Sequence, residues 1–426
     1  MTLLAADHSY PPATAPAVVT LQRALLWLMG FGGAIVFVEP SPYEIATLTA
    51  MVVFFAGGLR MRLVFVPLLI LLFLINIGYT ICAAYLLDTT PIINWILTSW
   101  YMAVSAIFVA LVVSEDTAAR LDLLRRGLIA GSLVASLAGI AGYLHLIPGS
   151  EKFTLYGRVS GTFKDPNVLG AYLVLPALFA LQSVVSDRFG RALRSTIVLG
   201  ILTLAILLAF SRAAWGLLAI TAAFMLFLMV LTSPSHQQRS RIIVMAVAAV
   251  VAVVVVVVIL LQFDFIADMF KQRASLDQQY DEGRFGRFGR HVLGAQMALD
   301  LPFGIGPLQF TKFFPEDTHN SYLNAFMSGG WISGVCYPAL IFITVILGFR
   351  YIFVRTPWQR PYLAVFSAYL GTVGEAFIID TDHWRHFWLM LGLMWGLFVA
   401  TQRYIATARD ETEFAGAHTE QGLHAR

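Results

Sequence analysis

His319 and Asn320 stand within EDTHNSYLNAFMSGG, with acids on one side and a Gly-Gly break on the other, in a chain of 426 residues that is 58% hydrophobic. An imidazole exchanges a proton near neutral pH, so His319 is a candidate general base. The competing reading is a loop histidine at the start of a helix. Charge is concentrated in four further stretches. In GRVSGTFKDPNVLGAY, Asp165-Pro166 has the form of an N-cap followed by a first-turn proline. Arg158 and Lys164 fall outside that account and are placed to steer an anionic substrate. In AFSRAAWG, Arg212 sits where two apolar segments meet with almost no loop. A charge at that depth either snorkels or pairs, and a guanidinium fork suits phosphate oxygens. In DEGRFGRFGRHVLGAQMALD, Arg284, Arg287 and Arg290 recur every third residue. On a helix they would share one broad side, with Phe285 and Phe288 toward the membrane, as in an interfacial amphipathic helix. Finally, GEAFIIDTDHWRHFW puts Glu375 in an apolar segment and Asp380, Asp382, His383, Arg385 and His386 at its end. These lack a regular helical ligand pattern and read as a salt-bridged rim rather than a metal site.

The elements that must position these residues are membrane helices. Charged residues make up 12% of the chain, mean hydropathy is +0.76, and many apolar runs reach the roughly 20 residues that cross a bilayer. Twelve such segments are expected, near 21–38, 43–59, 63–87, 92–113, 127–147, 167–185, 194–210, 213–231, 242–263, 321–349, 361–379 and 386–404. The predicted fold is therefore all-α and polytopic. A short cytoplasmic tail occupies 1–20, a membrane domain 21–404 with a large external loop at 264–320 between helices 9 and 10, and a cytoplasmic tail 405–426. The valine run AVAAVVAVVVVVV has strand-like composition, but its length without alternation favours a spanning helix. Cys82 and Cys336 both lie in apolar segments without metal-like spacing. A net charge of +3 with no basic patch excludes a nucleic-acid partner.

Arginine placement gives the sidedness. With the N-terminus inside, alternate loops hold Arg60 and Arg62; Arg120, Arg125 and Arg126; Arg188, Arg191 and Arg194; Arg239 and Arg241; Arg350, Arg355 and Arg360; and Arg403 and Arg409. The loops around Asp88, 148–166, the Phe210–Ala213 junction, 264–320 and 380–386 then face outward. All four lysines, Lys152, Lys164, Lys271 and Lys312, fall on that side with the arginines of the charged stretches. Basic residues that run against the trend are held by an anionic ligand, or by lipid phosphates and neighbouring acids. With no cleavage signature after the first segment, an uncleaved inner-membrane protein is expected. A secondary transporter or flippase is the alternative class, and it would place a polar track at the midplane.

GRVSGTFKDPN, SRAAWG, a GR about fifteen residues ahead of DLPFGIGP, and HNSYLNAFMSGGWISG, in that order, resemble the O-antigen ligase and polymerase superfamily of bacterial membrane glycan transferases. The resemblance covers roughly residues 150 to 350. It implies an inverting, metal-independent glycosyl transfer without a cofactor, from a glycan on undecaprenyl diphosphate at the outer, periplasmic face. The acceptor would be lipid A-core or a growing O-antigen or exopolysaccharide chain. By motif position, Arg212 and Arg287 look like the pair that grips the diphosphate, and His319 like the residue that activates the acceptor hydroxyl. Spacing to Pro302 selects Arg287, with Arg284 and Arg290 as neighbours. Arg158, Lys164, Arg284, Arg290 and Asn320 remain further candidate substrate contacts. His291 departs from the tryptophan common at that place in the family.

Overall fold

The computed structural model describes residues 16–86, 89–274 and 283–424, with side chains to residue 408. The expected loop residue Asp88, much of the N-terminal tail and positions 275–282 of the long loop lie outside the described residues. Among the described residues fourteen α-helices run in order: α1 (Pro16–Gly32), α2 (Pro42–Ala56), α3 (Val66–Ala83), α4 (Thr90–Ser114), α5 (Thr117–Tyr143), α6 (Pro166–Ser186), α7 (Phe189–Leu208), α8 (Arg212–Thr232), α9 (His236–Leu260), α10 (Asp264–Ala274), α11 (Arg287–Asp300), α12 (Ser321–Tyr351), α13 (Gln359–Glu375) and α14 (Arg385–His424). Two-residue strands β1 (Thr154–Leu155) and β2 (Arg158–Val159) pair antiparallel between α5 and α6.

Each of the twelve expected apolar segments falls on one helix, and α10 and α11 lie within the long loop. Among the described residues, nine helices are long and apolar enough to cross a bilayer. The 15 residues of α2 rise only about 22 Å, against a hydrocarbon core of about 30 Å, and the 17 of α1 and of α13 rise little more. Length thus supports nine of the twelve expected spans. α5 begins ten residues before the expected segment because its charged first turns are paired along the helix, Arg125 to Asp122 at 2.7 Å and Arg126 to Asp122 at 2.6 Å.

The helices pack with α12 along α3, α14 along α4, α1 along α5 and α6 along α7. α6 is central, with 94% of its apolar window buried, whereas the valine-rich α9 is only 6% buried and lies at the edge of the bundle against α8 and α6. The loops fall into two sets at opposite ends of this bundle. At one end Val36 N–H donates to Thr162 O, the Arg158 guanidinium to Ala209 O, Tyr85 to Ile305 O, and Ser321 N–H to Ala376 O. At the other, Arg62 and Arg120 meet Glu115, Arg241 reaches Asp187 O and Arg403 reaches Ser114 O. This is the same division of loops that the arginine pattern makes.

α12 is broken at Gly330, whose φ of 61° and ψ of −161° belong to a region open essentially to glycine alone. The freed backbone is used by the DLPFGIGP loop. Pro302 O accepts from Trp331 N–H at 2.9 Å, and Met327 O accepts from Ile305 N–H at 2.7 Å and Gly306 N–H at 3.1 Å. A Cβ at position 330 would stand 2.5 Å from Pro302 O. The Gly-Gly break therefore seats one motif on another and frees the first turns of α12, beginning at Ser321, to follow their own direction.

Two outcomes test this arrangement. Gly330→Ala should destabilise the purified protein by about 2 kcal/mol or more, from backbone strain and the clash. An unchanged thermal midpoint would show that the break is relaxed. In a background lacking Cys82 and Cys336, Lys312→Cys on the exposed loop should react with an impermeant thiol reagent in intact spheroplasts, and Arg194→Cys only after lysis. The reverse pattern would invert the sidedness.

Candidate functional site

His319 occupies the turn that joins the long loop to α12, at φ 47°. That left-handed conformation is uncommon outside glycine, although histidine tolerates it better than most. The Asp380 carboxylate holds it there, accepting from Thr318 Oγ1 at 2.7 Å, His319 N–H at 2.9 Å and Asn320 N–H at 2.9 Å. Asn320 then caps α12, its side chain accepting from Leu323 N–H at 3.0 Å while its amide donates to Phe377 O at 3.2 Å. Ser321 adds a contact to Thr381. The turn is thus clamped onto the α13–α14 connection.

The imidazole itself lies between two acids, Nδ1 3.8 Å from Asp380 and Nε2 3.8 Å from Glu316, with its side chain 35% exposed. Burial and the charge of Arg287 hold it below the ordinary imidazole range, with Glu316 opposing. Its neutral form, able to accept a proton, therefore predominates at neutral pH. Burial and the neighbouring Asp382 push the Asp380 carboxyl up, while its hydrogen bonds from Thr318 and Asn320 hold it down.

The three arginines ahead of Pro302 do not share one side as expected. The helix starts only at Arg287, after Gly286 in the N-cap position and Gly283 at φ 79°. Arg284 precedes it, exposed, with its guanidinium 5.7 Å from the Phe285 ring centroid. Arg287 is the first helical residue and half-buried. Arg290 points inward, its side chain 2% exposed, and binds Glu316 at 2.7 Å and Phe285 O at 3.0 Å. His291, the departure from the family pattern, holds the structure together here. Its Nε2 lies 2.9 Å from Thr318 O, tying α11 to the turn that bears His319. Arg287, Arg290, His291 and His319 thus surround one another.

Arg212 is the first residue of α8, half-buried, after a two-residue reversal in which Phe210 takes φ 45°. Ser211 caps the helix, and Trp215 closes the reversal by donating to Ile206 O at 3.0 Å. Arg158 is buried against this junction, donating to Ala209 O and to Asn167 Oδ1, each at 2.8 Å. Asp165 caps α6 as expected, accepting from Asn167 N–H at 2.6 Å. Lys164 is exposed and paired with Glu39 at 2.5 Å. The structure therefore brings Arg158 to the Arg212 junction, and Arg287 and Arg290 to His319. α10 links the two groups in sequence, with Phe270 stacked on Trp215 at 5.2 Å and Phe265 against Tyr143 at 6.0 Å.

The acids and histidines read from the sequence as a salt-bridged rim are paired as expected, but they also reach partners on distant helices. Asp382, 3% exposed at its side chain, accepts from Asn324 Nδ2 at 2.9 Å and meets His383 Nδ1 at 2.9 Å. The His383 ring lies over Trp95 with centroids 4.1 Å apart. Arg385 pairs with Glu44 at the start of α2. The expected rim is therefore a set of ties from the α13–α14 connection to α12, α4 and α2. Only the alternation of acids and histidines in IIDTDHWRH hinted at it. Among the described residues, no group of three or more His, Cys, Asp or Glu is arranged to hold a metal ion.

Comparison with known proteins adds one finding. A family model described as O-antigen ligase matches residues 197–337, a segment that runs from α7 to the first half of α12 and contains Arg212, Arg287 and His319. No curated protein matches the chain. The matched segment carries three of the four motifs noted in the sequence, and over it this chain is similar to the O-antigen ligase family.

Proposed function

We propose that this protein is a glycosyltransferase of the inner membrane that moves a glycan from undecaprenyl diphosphate to an acceptor sugar hydroxyl at the periplasmic face. The acceptor is lipid A-core or a growing O-antigen or exopolysaccharide chain. The observation that carries the reading is the imidazole of His319, fixed through its backbone by Asp380 and set near Arg287 at the start of α11. In the proposed step the acceptor oxygen attacks the anomeric carbon from the side opposite the diphosphate, and the carbon–oxygen bond to the carrier breaks with inversion. His319 takes the acceptor proton, and undecaprenyl diphosphate leaves with the electron pair. Arg212 and Arg287 neutralise the departing diphosphate, the kind of preorganised electrostatic help that is worth most in a site sheltered from water.

The same geometry supports different roles for the other candidates. Arg290, bound to Glu316 and a carbonyl, positions the loop. Arg158, bound to Ala209 O and Asn167, shapes the junction that presents Arg212. Arg284 and Lys164, both exposed, are left to steer the anionic donor. Asn320 acts through its helix cap.

If His319 is the base, His319→Ala should lower turnover by roughly 10²–10⁴-fold in correctly folded protein, with donor affinity nearly intact. Asn320→Ala should instead cost about 1 kcal/mol of stability through the lost cap and leave turnover per folded molecule similar. Transfer per folded molecule by purified variants separates the two, and a fully active His319→Ala protein would remove the proposed chemistry.

Arg287 offers a test by pH. Because its charge lowers the His319 pKa, the acid limb of kcat/KM should lie below about 6.5 in the native enzyme. Removing the charge in Arg287→Gln should move that limb to higher pH while lowering the plateau. Arg287→Lys and Arg212→Lys retain charge but lose the bidentate fork, so both should lose activity. An unmoved limb in Arg287→Gln would sever the link between the two residues, and full activity in both lysine variants would end the diphosphate assignment.

A further inference from the structure

A cavity of about 310 Å³ opens at the end of the bundle opposite His319, between the ends of α6 and α8, the starts of α9 and α13 and the α12–α13 connection. Its size lies at the lower edge of the range of small-molecule pockets, about 300–1,000 Å³. Three arginines line it, Arg241, Arg355 and Arg360, together with the amides of Gln238 and Gln359. No carboxylate is among the lining residues. The segments that supply these arginines are distant in sequence, so the fold and not a local run of basic residues gathers the charge. Two helices also begin there, α9 at His236 and α13 at Gln359, and each directs the positive end of its backbone dipole toward the same space. Met229 and Leu363 form an apolar side.

Three guanidinium groups in one concavity repel one another, and no acid of the lining offsets them. An anion that enters would relieve that repulsion, and the planar donors of arginine match phosphate oxygens. The apolar side fits a glycerol backbone and the beginning of acyl chains. This end of the bundle carries the alternate-loop arginines, which the positive-inside trend assigns to the cytoplasmic leaflet, where anionic lipids attract basic pockets between helices. We propose that this cavity is a binding site for a phosphate group, supplied by the headgroup of an anionic phospholipid and separate from the glycan-transfer site.

The test uses the full-length protein, purified in detergent and stripped of lipid. Phosphatidylglycerol, phosphatidylethanolamine and inorganic phosphate are titrated in turn, with bound species read by native mass spectrometry and the thermal midpoint followed in parallel. Phosphatidylglycerol should bind in preference to phosphatidylethanolamine. Each of Arg241→Gln, Arg355→Gln and Arg360→Gln should weaken it about fivefold, and the triple variant about 100-fold. Arg194→Gln, which removes an exposed charge on the same face outside the cavity, should change nothing. The single variants keep the test readable if the triple variant inserts poorly. Saturable binding of inorganic phosphate that competes with the lipid and depends on the same arginines would support the phosphate site and assign it to a soluble ligand. Equal binding of the lipid by native and single-variant proteins, or no binding by either probe, would overturn the proposal.

Discussion

The carboxylate of Asp380 receives donors from three successive residues, Thr318, His319 and Asn320, and the geometry around it follows from that convergence. Two of those donors are backbone amides at the start of a helix. Left unpaired away from water, each would cost about 1–3 kcal/mol. One oxygen holds the residue before His319 and the one after it, and the other holds His319 itself. Between them the backbone has little choice but the left-handed conformation. The imidazole is then set by α11, since His291 binds the carbonyl of Thr318 and Arg290 fixes Glu316. A side chain about sixty positions away in sequence thereby determines where a proton acceptor stands.

Charge balance across this region gives chemically similar groups different roles. Arg290 is buried and paired with Glu316, whereas Arg287, one helical turn earlier and half-buried, acts more strongly on both His319 and His291, with Arg290 adding in the same direction. Asp380 and Asp382 are likewise close enough to influence one another, yet one clamps a turn and the other ties Asn324 and His383 beneath it. The polar cluster around His319 is thus stratified, with structural pairs below and a partly exposed imidazole and guanidinium above.

The helical plan was legible because apolar length is a coarse signal that survives uncertainty at element ends, and the apolar segments that meet at Arg212 and begin just after His319 marked two of the helix starts. What escaped was every relation between distant segments. Nothing near Asp380 distinguishes a turn clamp from a surface acid, and nothing near Arg158 foretells that Ala209 will accept its hydrogen bond. Periodicity also misplaced Arg284, Arg287 and Arg290 on a single face. The three-residue recurrence was real, but the glycines at 283 and 286 delay the helix until Arg287, so one arginine precedes it and another turns inward. Helix starts are governed by backbone permissiveness as much as by side-chain pattern.

The valine-rich α9 lies inside the segment matched by the O-antigen ligase family model, yet most of its apolar surface is left unburied by the bundle. Its composition answers to the solvent around it, and the bilayer accepts valine, isoleucine, leucine and phenylalanine on nearly equal terms, about −0.3 to −0.6 kcal/mol each. Twenty-five residues rise about 37 Å, more than the hydrocarbon needs, so its length too is slack. A helix under such loose demands can drift freely among aliphatic side chains over evolutionary time, and it will carry little memory of ancestry even where the residues on either side retain it.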